Sequence, residues 1–306
     1  MRESFKVSAP GKLMLLGEHA VLHGRHCLVC AVNQRLHLTI YRRKDSRISI
    51  HSELGQLQTD LKELDIQPPF RFILTVLQRF KDKLPHGFDL NIESEFTATV
   101  GLGSSAAVTA ATILACYEMA GLHIDKHLIF DDGLDSIRAV QGTGSGADLV
   151  ASVFGGILLY RHSPVSITAL HETHPICVIY SGGKTPTTEV IAKVEQKRNA
   201  LPELFDSIYD MMDKSAVQAA EAIQHKQWQR FGDILNVNQG LMDAIGVSNA
   251  TLSDIAYALR DDPGILGSKI SGSGLGDCVV GWGALQNKIK YQTIPLEISS
   301  EGVRFD

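Results

Sequence analysis

The chain has 306 residues, 44% of them hydrophobic and 21% charged, and its formal net charge is −5. These values are typical of a folded globular protein with room for one large domain or two moderate ones. The acidic balance argues against general binding of nucleic acid or anionic membranes. With neither an apolar run of roughly 18–20 residues nor a signal-peptide core, we expect a cytoplasmic protein.

The five cysteines do not suggest a disulfide framework. Cys27 and Cys30 have the C-x-x-C spacing of some metal and redox sites. No second pair accompanies them, and residues three apart in a strand point to opposite faces. We therefore expect buried structural thiols rather than a metal or redox centre.

Three segments of the first half alternate apolar and polar side chains, which predicts half-buried antiparallel strands. They are residues 36–41, 48–51 and 90–93. Residues 70–80 instead carry apolar side chains at helical spacing and follow two prolines, which predicts a helix.

Residues 99–107 place a glycine-rich turn directly before a long apolar helix. Gly101 and Gly103 allow the backbone to approach a ligand closely, and Ser104 and Ser105 are placed to cap the helix. A helix start offers unpaired N–H groups and the positive end of the macrodipole. The turn therefore predicts an anion site, with phosphate as the usual biological anion. On this segment alone, a turn that only caps the helix remains the alternative.

The rest of the chain alternates predicted helices and strands. Residues 106–120 are apolar nearly all round and predict a buried helix that ends at Gly121. Pro186 fits the first position of a helix with Thr185 as its cap, and residues 203–225 predict an amphipathic helix. Strands are predicted at residues 155–160, 176–180 and 279–282.

Two further segments accompany the glycine-rich turn, residues 8–21 and residues 269–277. In this order, the three resemble the signature motifs of the GHMP kinases, named for galactokinase, homoserine kinase, mevalonate kinase and phosphomevalonate kinase. The middle segment is not a Walker P-loop, because no Gly-Lys-Ser/Thr follows its glycines. The resemblance implies an α+β fold of two lobes, residues 1–160 and 161–306, with the active site in the cleft between them.

The resemblance assigns ATP to the second and third segments and Mg²⁺ to a serine that faces the nucleotide phosphates. Ser104 and Ser105 are both candidates for that serine, and the sequence does not choose between them. Mg²⁺ prefers a few protein oxygens together with phosphate and water. The residues expected to bind ATP are Gly101, Leu102, Gly103, Ser104, Ser105, Ala106, Gly272, Ser273 and Gly274.

Asp148 and Lys12 are the expected catalytic residues. Asp148 lies in a glycine-rich segment similar to the one that carries the catalytic carboxylate of mevalonate kinases, where it takes the proton of the substrate hydroxyl. The alternative is a turn aspartate that holds its own loop. Lys12 precedes an apolar run and needs a partner if buried. The resemblance places it beside the catalytic carboxylate, whereas a lysine that reaches solvent is the alternative.

The departures from the family pattern are Ile137, Ser273, Leu275 and Asp277, and two of them change the charge expected in the site. Animal-type mevalonate kinases have a metal-binding glutamate where this chain has Ile137. Either a nearby acid shifts in register, or serine, phosphate and water suffice; the nearby acids are Asp131, Asp132 and Asp135. Asp277 replaces a small residue of the third segment, and we expect it to point away from phosphate or to take a lysine partner.

Within the family, three segments look most like mevalonate kinases: residues 17–21, 184–188 and 236–248. They suggest Glu18, His19 and Thr185 as substrate-binding residues, although Glu18 and His19 could instead form a cap or a buried hydrogen-bonded pair. The expected reaction is phosphorylation of the primary hydroxyl of mevalonate by Mg-ATP.

Residues 141–146 look more like phosphomevalonate kinases, so that activity is the main alternative. It would need cations for the substrate phosphate, and Arg138, Arg161 and Lys184 are the candidates. Another small-molecule GHMP kinase and a ligand sensor without catalysis are further alternatives. We expect small-molecule substrates, no nucleic-acid or membrane partner, and a homodimer as one option for assembly.

Overall fold

The computed structural model describes residues 3–96 and 101–306. Over these residues the chain is α+β, as expected, with eight α-helices, a 3₁₀ helix at Ala20–His23 and two sheets. The strands are β1 (Ser4–Leu16), β2 (His26–Arg42), β3 (Arg47–Ser52), β4 (Gly55–Asp60), β5 (Phe88–Ser94), β6 (Ile157–His162), β7 (Val165–Leu170), β8 (Ile176–Tyr180), β9 (Ile265–Ser271), β10 (Cys278–Gly283), β11 (Gln292–Ile294) and β12 (Arg304–Phe305). The helices are α1 (Arg71–Phe80), α2 (Ser104–Ala120), α3 (Lys126–Gln141), α4 (Ala147–Phe154), α5 (Thr187–Ala200), α6 (Pro202–Gln224), α7 (Trp228–Ala244) and α8 (Ala250–Arg260).

The larger sheet is built around the long strand β2. Its order is β12-β1-β2-β5-β3-β4, and β6 pairs with the first part of β2 and carries β7 on its other edge. Leu36, Leu38 and Ile40 are buried as expected, and burial of each such side chain stabilises the fold by about 1.5–3 kcal/mol. The expectation of antiparallel strands is confirmed for the pairing of β2 with β5 and of β3 with β4, but β3 and β5 pair with each other in parallel. The hairpin β3–β4 and helix α1 together form the crossover that a parallel pair requires.

Helix α2 is the central helix of this half of the molecule and packs against β1, α1, α3 and α4. Its many alanines allow these neighbours to approach closely, and it is buried over most of its length. It ends as predicted at Gly121, whose backbone N–H donates to the Glu118 carbonyl, while the N–H of Leu122 donates to the Tyr117 carbonyl. The start of α2 is thereby held rigidly inside the fold.

The smaller sheet has the order β11-β8-β10-β9 and is antiparallel throughout. Helices α7 and α8 pack on β9. The largest apolar cluster continues from the larger sheet through α6 and α7 to Trp282. One face of the smaller sheet therefore shares the interior of the larger sheet, and its other face packs with α8 in a second apolar cluster.

The lobe boundary at residue 160 stays a prediction. The larger sheet continues to Leu170 through the pairing of β6 with β7. The end of the chain also returns to this sheet, because β12 pairs with β1 and Ile298 bridges to Val32.

The sequence analysis did not predict β4, β7, β9, β11, β12, α3, α4, α7 or α8. Cys27 and Cys30 are buried as expected, and none of the five cysteines forms a disulfide. Burial raises the pKa of the Cys30 thiol to about 12. Among the described residues, no helix is both long and apolar enough to cross a bilayer.

Candidate active site

A cavity of about 300 Å³ brings together the three glycine-containing segments, which are far apart in sequence. Its walls come from β1 and the residues after it, the starts of α2 and α4, the residues around the start of α5, and the loop between β9 and β10. The predicted site residues on these walls are Lys12, Glu18, His19, Gly101, Gly103, Ser104, Ser105, Ala106, Asp148, Gly272 and Ser273. Leu102, Thr185 and Gly274 were also predicted but do not line it.

Helix α2 starts at the cavity wall, with Gly103 at its N-cap and Ser104 and Ser105 in its first turn. Neither serine hydroxyl caps the helix, so that prediction is wrong. The cap position has φ 78°, a conformation that glycine adopts without strain. First-turn N–H groups have no intrahelical partner and, with the macrodipole, form an anion site. Thr99 and Val100 of the predicted turn lie outside the described residues.

Lys12 and Asp148 form an ion pair beside this helix start, with Nζ 3.0 Å from Oδ1. The Lys12 side chain is 7% exposed, whereas that of Asp148 is 46% exposed. Burial lowers the pKa of Lys12, but the charge and hydrogen bond of Asp148 outweigh it, so the pKa is raised and the ammonium stays charged. The expected contact is present, and the carboxylate remains open to a ligand.

Lys12 also fixes the first segment against the second. Its backbone N–H donates to the Leu102 carbonyl at 2.9 Å. Its stem crosses Gly103 so closely that a Cβ there would lie 2.8 Å from Lys12 Cγ. Glycine is therefore needed at position 103 for two reasons, the positive φ and the space that Lys12 occupies.

Asp148 is positioned by the loop that leads into α4. Gly146 is the N-cap with φ 84°, and Asp148 lies in the first turn. The Tyr160 hydroxyl donates to the Ser145 carbonyl at 2.5 Å, which anchors the loop to β6. The Ser152 hydroxyl donates to the Pro10 carbonyl at 3.0 Å and ties α4 to β1. Sequence reasoning missed the role of Tyr160, because nothing local connects it to the loop.

A second lysine–carboxylate pair lies deeper in the wall. Lys269 Nζ donates to Glu18 Oε1 at 2.6 Å, and the two side chains are 0% and 3% exposed. Burial lowers the pKa of Lys269, and the Glu18 charge offsets this only in part. Glu18 Oε1 also accepts from the Gly272 N–H at 3.3 Å. The sequence analysis missed Lys269, although a lysine in an apolar strand needs a partner just as Lys12 does.

His19 and Thr185 also bind the third segment. His19 Nε2 lies 2.9 Å from the Ser273 carbonyl, which can only accept, so the ring donates there. Burial lowers the pKa of His19, which favours the neutral ring. The Thr185 hydroxyl donates to the Leu275 carbonyl at 2.8 Å.

Thr185 does not cap α5 as predicted, because that helix starts at Thr187 with Pro186 as its N-cap. Thr187 and Thr188, which the sequence analysis did not single out, lie on the cavity wall instead. The substrate-binding roles of Glu18, His19 and Thr185 stay predictions.

Comparison with known proteins identifies the family. Residues 71–156 match the GHMP kinases N terminal domain, and residues 219–291 match the GHMP kinases C terminal domain. Residues 2–42 match the galactokinase galactose-binding signature. The mevalonate kinase of Archaeoglobus fulgidus is 34% identical over 98% of this chain and 99% of its own. That of Pyrococcus furiosus is 33% identical over 89% of this chain and 87% of its own.

The chain belongs to the GHMP kinase family. It is therefore an ATP-dependent small-molecule kinase, with ATP as co-substrate. The fold agrees: the solved structure of the Lin0012 protein from Listeria innocua superposes with a TM-score of 0.88 over 99% of both chains, at 20% identity.

In this GHMP kinase, Ile137 lines the cavity but none of the acids near it on α3 does. Asp132 and Asp135 accept hydrogen bonds from Arg79 at 3.3 and 3.1 Å, and Asp132 also binds the Tyr117 hydroxyl at 2.8 Å. The interpretation that an acid shifts in register is therefore wrong for these residues. Within residues 3–96 and 101–306, no three His, Cys, Asp or Glu side chains form a ready metal centre.

Asp277 is the other position of this GHMP kinase at which a change from the family pattern alters the charge of the site. The expectation that it points away from the site is wrong. Its side chain lines the cavity, is 6% exposed and lies against Gly101, where a Cβ would come within 2.8 Å of its Cγ. Burial raises the pKa of the carboxyl, although Lys184 and then Lys12 act in the opposite direction. Lys184 thus supplies the lysine neighbour that the other expectation named, and Asp277 Oδ1 has no hydrogen-bond partner.

Proposed function

We propose that this kinase transfers the γ-phosphoryl group of ATP to the primary hydroxyl of mevalonate, giving 5-phosphomevalonate and ADP. The observation that carries the proposal is the Lys12–Asp148 pair, 3.0 Å apart, with its carboxylate open to the cavity beside the start of α2. The choice of acceptor is supported by the mevalonate kinases that are 33% and 34% identical to this chain.

Asp148 would orient the acceptor hydroxyl and take its proton. The hydroxyl oxygen forms a bond to the γ-phosphorus while the bond from that phosphorus to the bridging oxygen of ADP breaks, with the two oxygens in line. The proton moves to the Asp148 carboxylate. The Asp148 side chain is 46% exposed, so a substrate can reach it. Lys12 holds that carboxylate in place and offsets the charge on the transferred group.

The nucleotide phosphates would lie at the first turn of α2, where the cavity is lined by Gly101, Gly103, Ser104 and Ser105. Gly272 and Ser273 would close on the nucleotide from the opposite wall. The hydroxyl of Ser104 or Ser105 and the carboxyl group of Asp277 line the cavity and are oxygen donors of the kind Mg²⁺ prefers, so the site fits this ion. Bound Mg²⁺ would neutralise phosphate charge during transfer.

The acceptor would occupy the wall formed by His19, Thr187 and Thr188. Hydroxyl groups such as those of Thr187 and Thr188 can donate to the mevalonate carboxylate. Because His19 donates through Nε2 to Ser273, its Nδ1 is left as an acceptor for a substrate hydroxyl.

The positions of the candidate cations support mevalonate rather than phosphomevalonate as the acceptor. Arg138 is directed to the Gly144 carbonyl and the His162 ring, and neither Arg138 nor Arg161 lines the cavity. Lys184 does line it. A substrate phosphate would rely on that lysine beside the buried Asp277, whereas a carboxylate needs fewer charges.

The test is ADP release by the purified protein with Mg-ATP and each of three acceptors: mevalonate, 5-phosphomevalonate and galactose. We expect turnover with mevalonate. Turnover only with phosphomevalonate or only with galactose would overturn the choice of acceptor and leave the kinase assignment intact. The D148A variant, prepared in the same way, controls for a contaminating kinase.

A further inference from the structure

The carboxyl group of Asp277 is a buried acid in a site built for anions. Asp277 is 6% exposed, and its carboxyl lies against Gly101, two residues before the N-cap of α2. Its Oδ1 is enclosed and accepts no hydrogen bond. A buried oxygen without a hydrogen-bond partner lowers the free energy of unfolding by about 1–3 kcal/mol. We therefore expect Oδ1 to have a partner in the working enzyme.

The lysines of the cavity do not fully supply that partner. Lys12 is held by Asp148 at 3.0 Å, and Lys269 by Glu18 at 2.6 Å. Lys184 attracts Asp277 electrostatically but donates no hydrogen bond to Oδ1. When a triphosphate arrives at the start of α2, its negative charge faces the same turn as this carboxylate. Like charges repel each other in a partly dry site unless a cation lies between them.

The backbone holds Asp277 in one orientation. Its φ is 63°, in the left-handed region. Its N–H donates to the Gly183 carbonyl at 2.7 Å, and its carbonyl accepts from the Ser181 N–H at 2.9 Å. A carboxylate fixed by its backbone loses little freedom on binding an ion, which suits a metal ligand.

We propose that Asp277 is a ligand of the divalent cation that accompanies the ATP phosphates, acting across the cavity from Ser104 and Ser105. The cation separates the carboxylate from the phosphates and compensates the charge of a carboxyl group whose Oδ1 accepts no hydrogen bond. The loop between β9 and β10 thus supplies a carboxylate to the cavity. Helix α3 supplies none there, because its residue on the wall is Ile137. The inference rests on the proposed function only for the place of the nucleotide phosphates, and it is independent of the acceptor.

The test is calorimetric binding of a non-hydrolysable ATP analogue, with and without Mn²⁺, to the wild type and to D277N and D277G. Asparagine and glycine both accept a positive φ, so these variants keep the backbone conformation. In the wild type we expect Mn²⁺ to tighten nucleotide binding. In both variants we expect this tightening to fall by about tenfold or more, while metal-free binding becomes stronger because the repelling charge is gone.

D135N is the matched control, because Asp135 is an acid near the cavity that binds Arg79 instead. We expect it to behave like the wild type. If D277N and D277G keep the wild-type response to Mn²⁺, or lose affinity equally with and without it, the proposal is wrong. A failure of the acceptor assay would not affect this measurement, because it uses nucleotide and metal alone.

Discussion

Two lysine–carboxylate pairs contribute to the same cavity and differ in exposure. The Lys12–Asp148 pair has a carboxylate that is 46% exposed, whereas both partners of the Lys269–Glu18 pair are buried. Burial lowers the pKa of both lysines, but the carboxylate outweighs burial only at Lys12. The open Asp148 carboxylate can exchange a proton with a substrate, whereas the Glu18 carboxylate already accepts from Lys269 and from the Gly272 N–H. We infer that the first pair serves chemistry and that the second links the first segment to the third.

The largest expected effect is on the open pair. Asp148→Ala removes the group that we expect to take the substrate proton, so turnover should fall by about 10³-fold. Binding of the ATP analogue should persist, because the start of α2 is untouched. Coupled ADP release and calorimetric titration measure the two quantities. Near-normal turnover would show that Asp148 is not the base.

The next effect is on the enclosed pair. Lys269→Met leaves the Glu18 carboxylate buried without its cation, which should cost about 3–5 kcal/mol of unfolding free energy. Urea denaturation measures it. The double variant E18Q/K269M should recover much of the loss, because it removes the uncompensated charge.

Lys290→Met is the matched control for Lys269. Lys290 pairs with Asp254 at 2.8 Å, but the side chains are 70% and 53% exposed. Such a surface pair contributes about 0–1 kcal/mol. Equal losses in K269M and K290M would contradict the distinction between an enclosed and an open pair.

A third variant probes the contact between Lys12 and the helix start. Gly103→Ala combines a positive φ with a Cβ that would lie 2.8 Å from Lys12 Cγ, so we expect a loss of about 2–4 kcal/mol. Gly121→Ala, at φ 65° with no atom within 4 Å, isolates the backbone strain and should cost about 1–2 kcal/mol. Thermal or urea unfolding compares them. If the two variants lost equal stability, the packing of Lys12 on Gly103 would carry no cost.

The smallest expected effect is the stability that Lys12 gains from its partner. Lys12→Met removes the ammonium, but water can then solvate the exposed Asp148 carboxylate. We therefore expect the free energy of unfolding to fall by only about 1 kcal/mol. The pKa of Lys12 is raised above its usual 10.5, so this contribution is fully present below pH 10.5 and is lost as the pH rises through the raised pKa. Urea unfolding of wild type and variant across this range measures it. A difference that disappears well below pH 10.5 would contradict the raised pKa.

Sequence patterns predicted the elements whose signal is local. The helix at α1, the strands β8 and β10 and the end of α2 at Gly121 were all found, because apolar periodicity and a terminal glycine are read from neighbouring residues. The Ser104 and Ser105 caps and the Thr185 cap were wrong. In each case a neighbour, Gly103 or Pro186, takes the cap position, and the tertiary contacts decide which residue that is.

The sequence by itself determined the family, the three glycine-containing segments and the meeting of Lys12 with Asp148, because these follow from motifs whose order and residue types are specific. Only the tertiary structure decided that Lys269 reaches Glu18, that Arg79 draws Asp132 and Asp135 away, and that Asp277 turns inward. Each of these outcomes depends on the direction of a side chain towards residues distant in sequence. Burial and charge set that direction only when the sheets and helices are packed together.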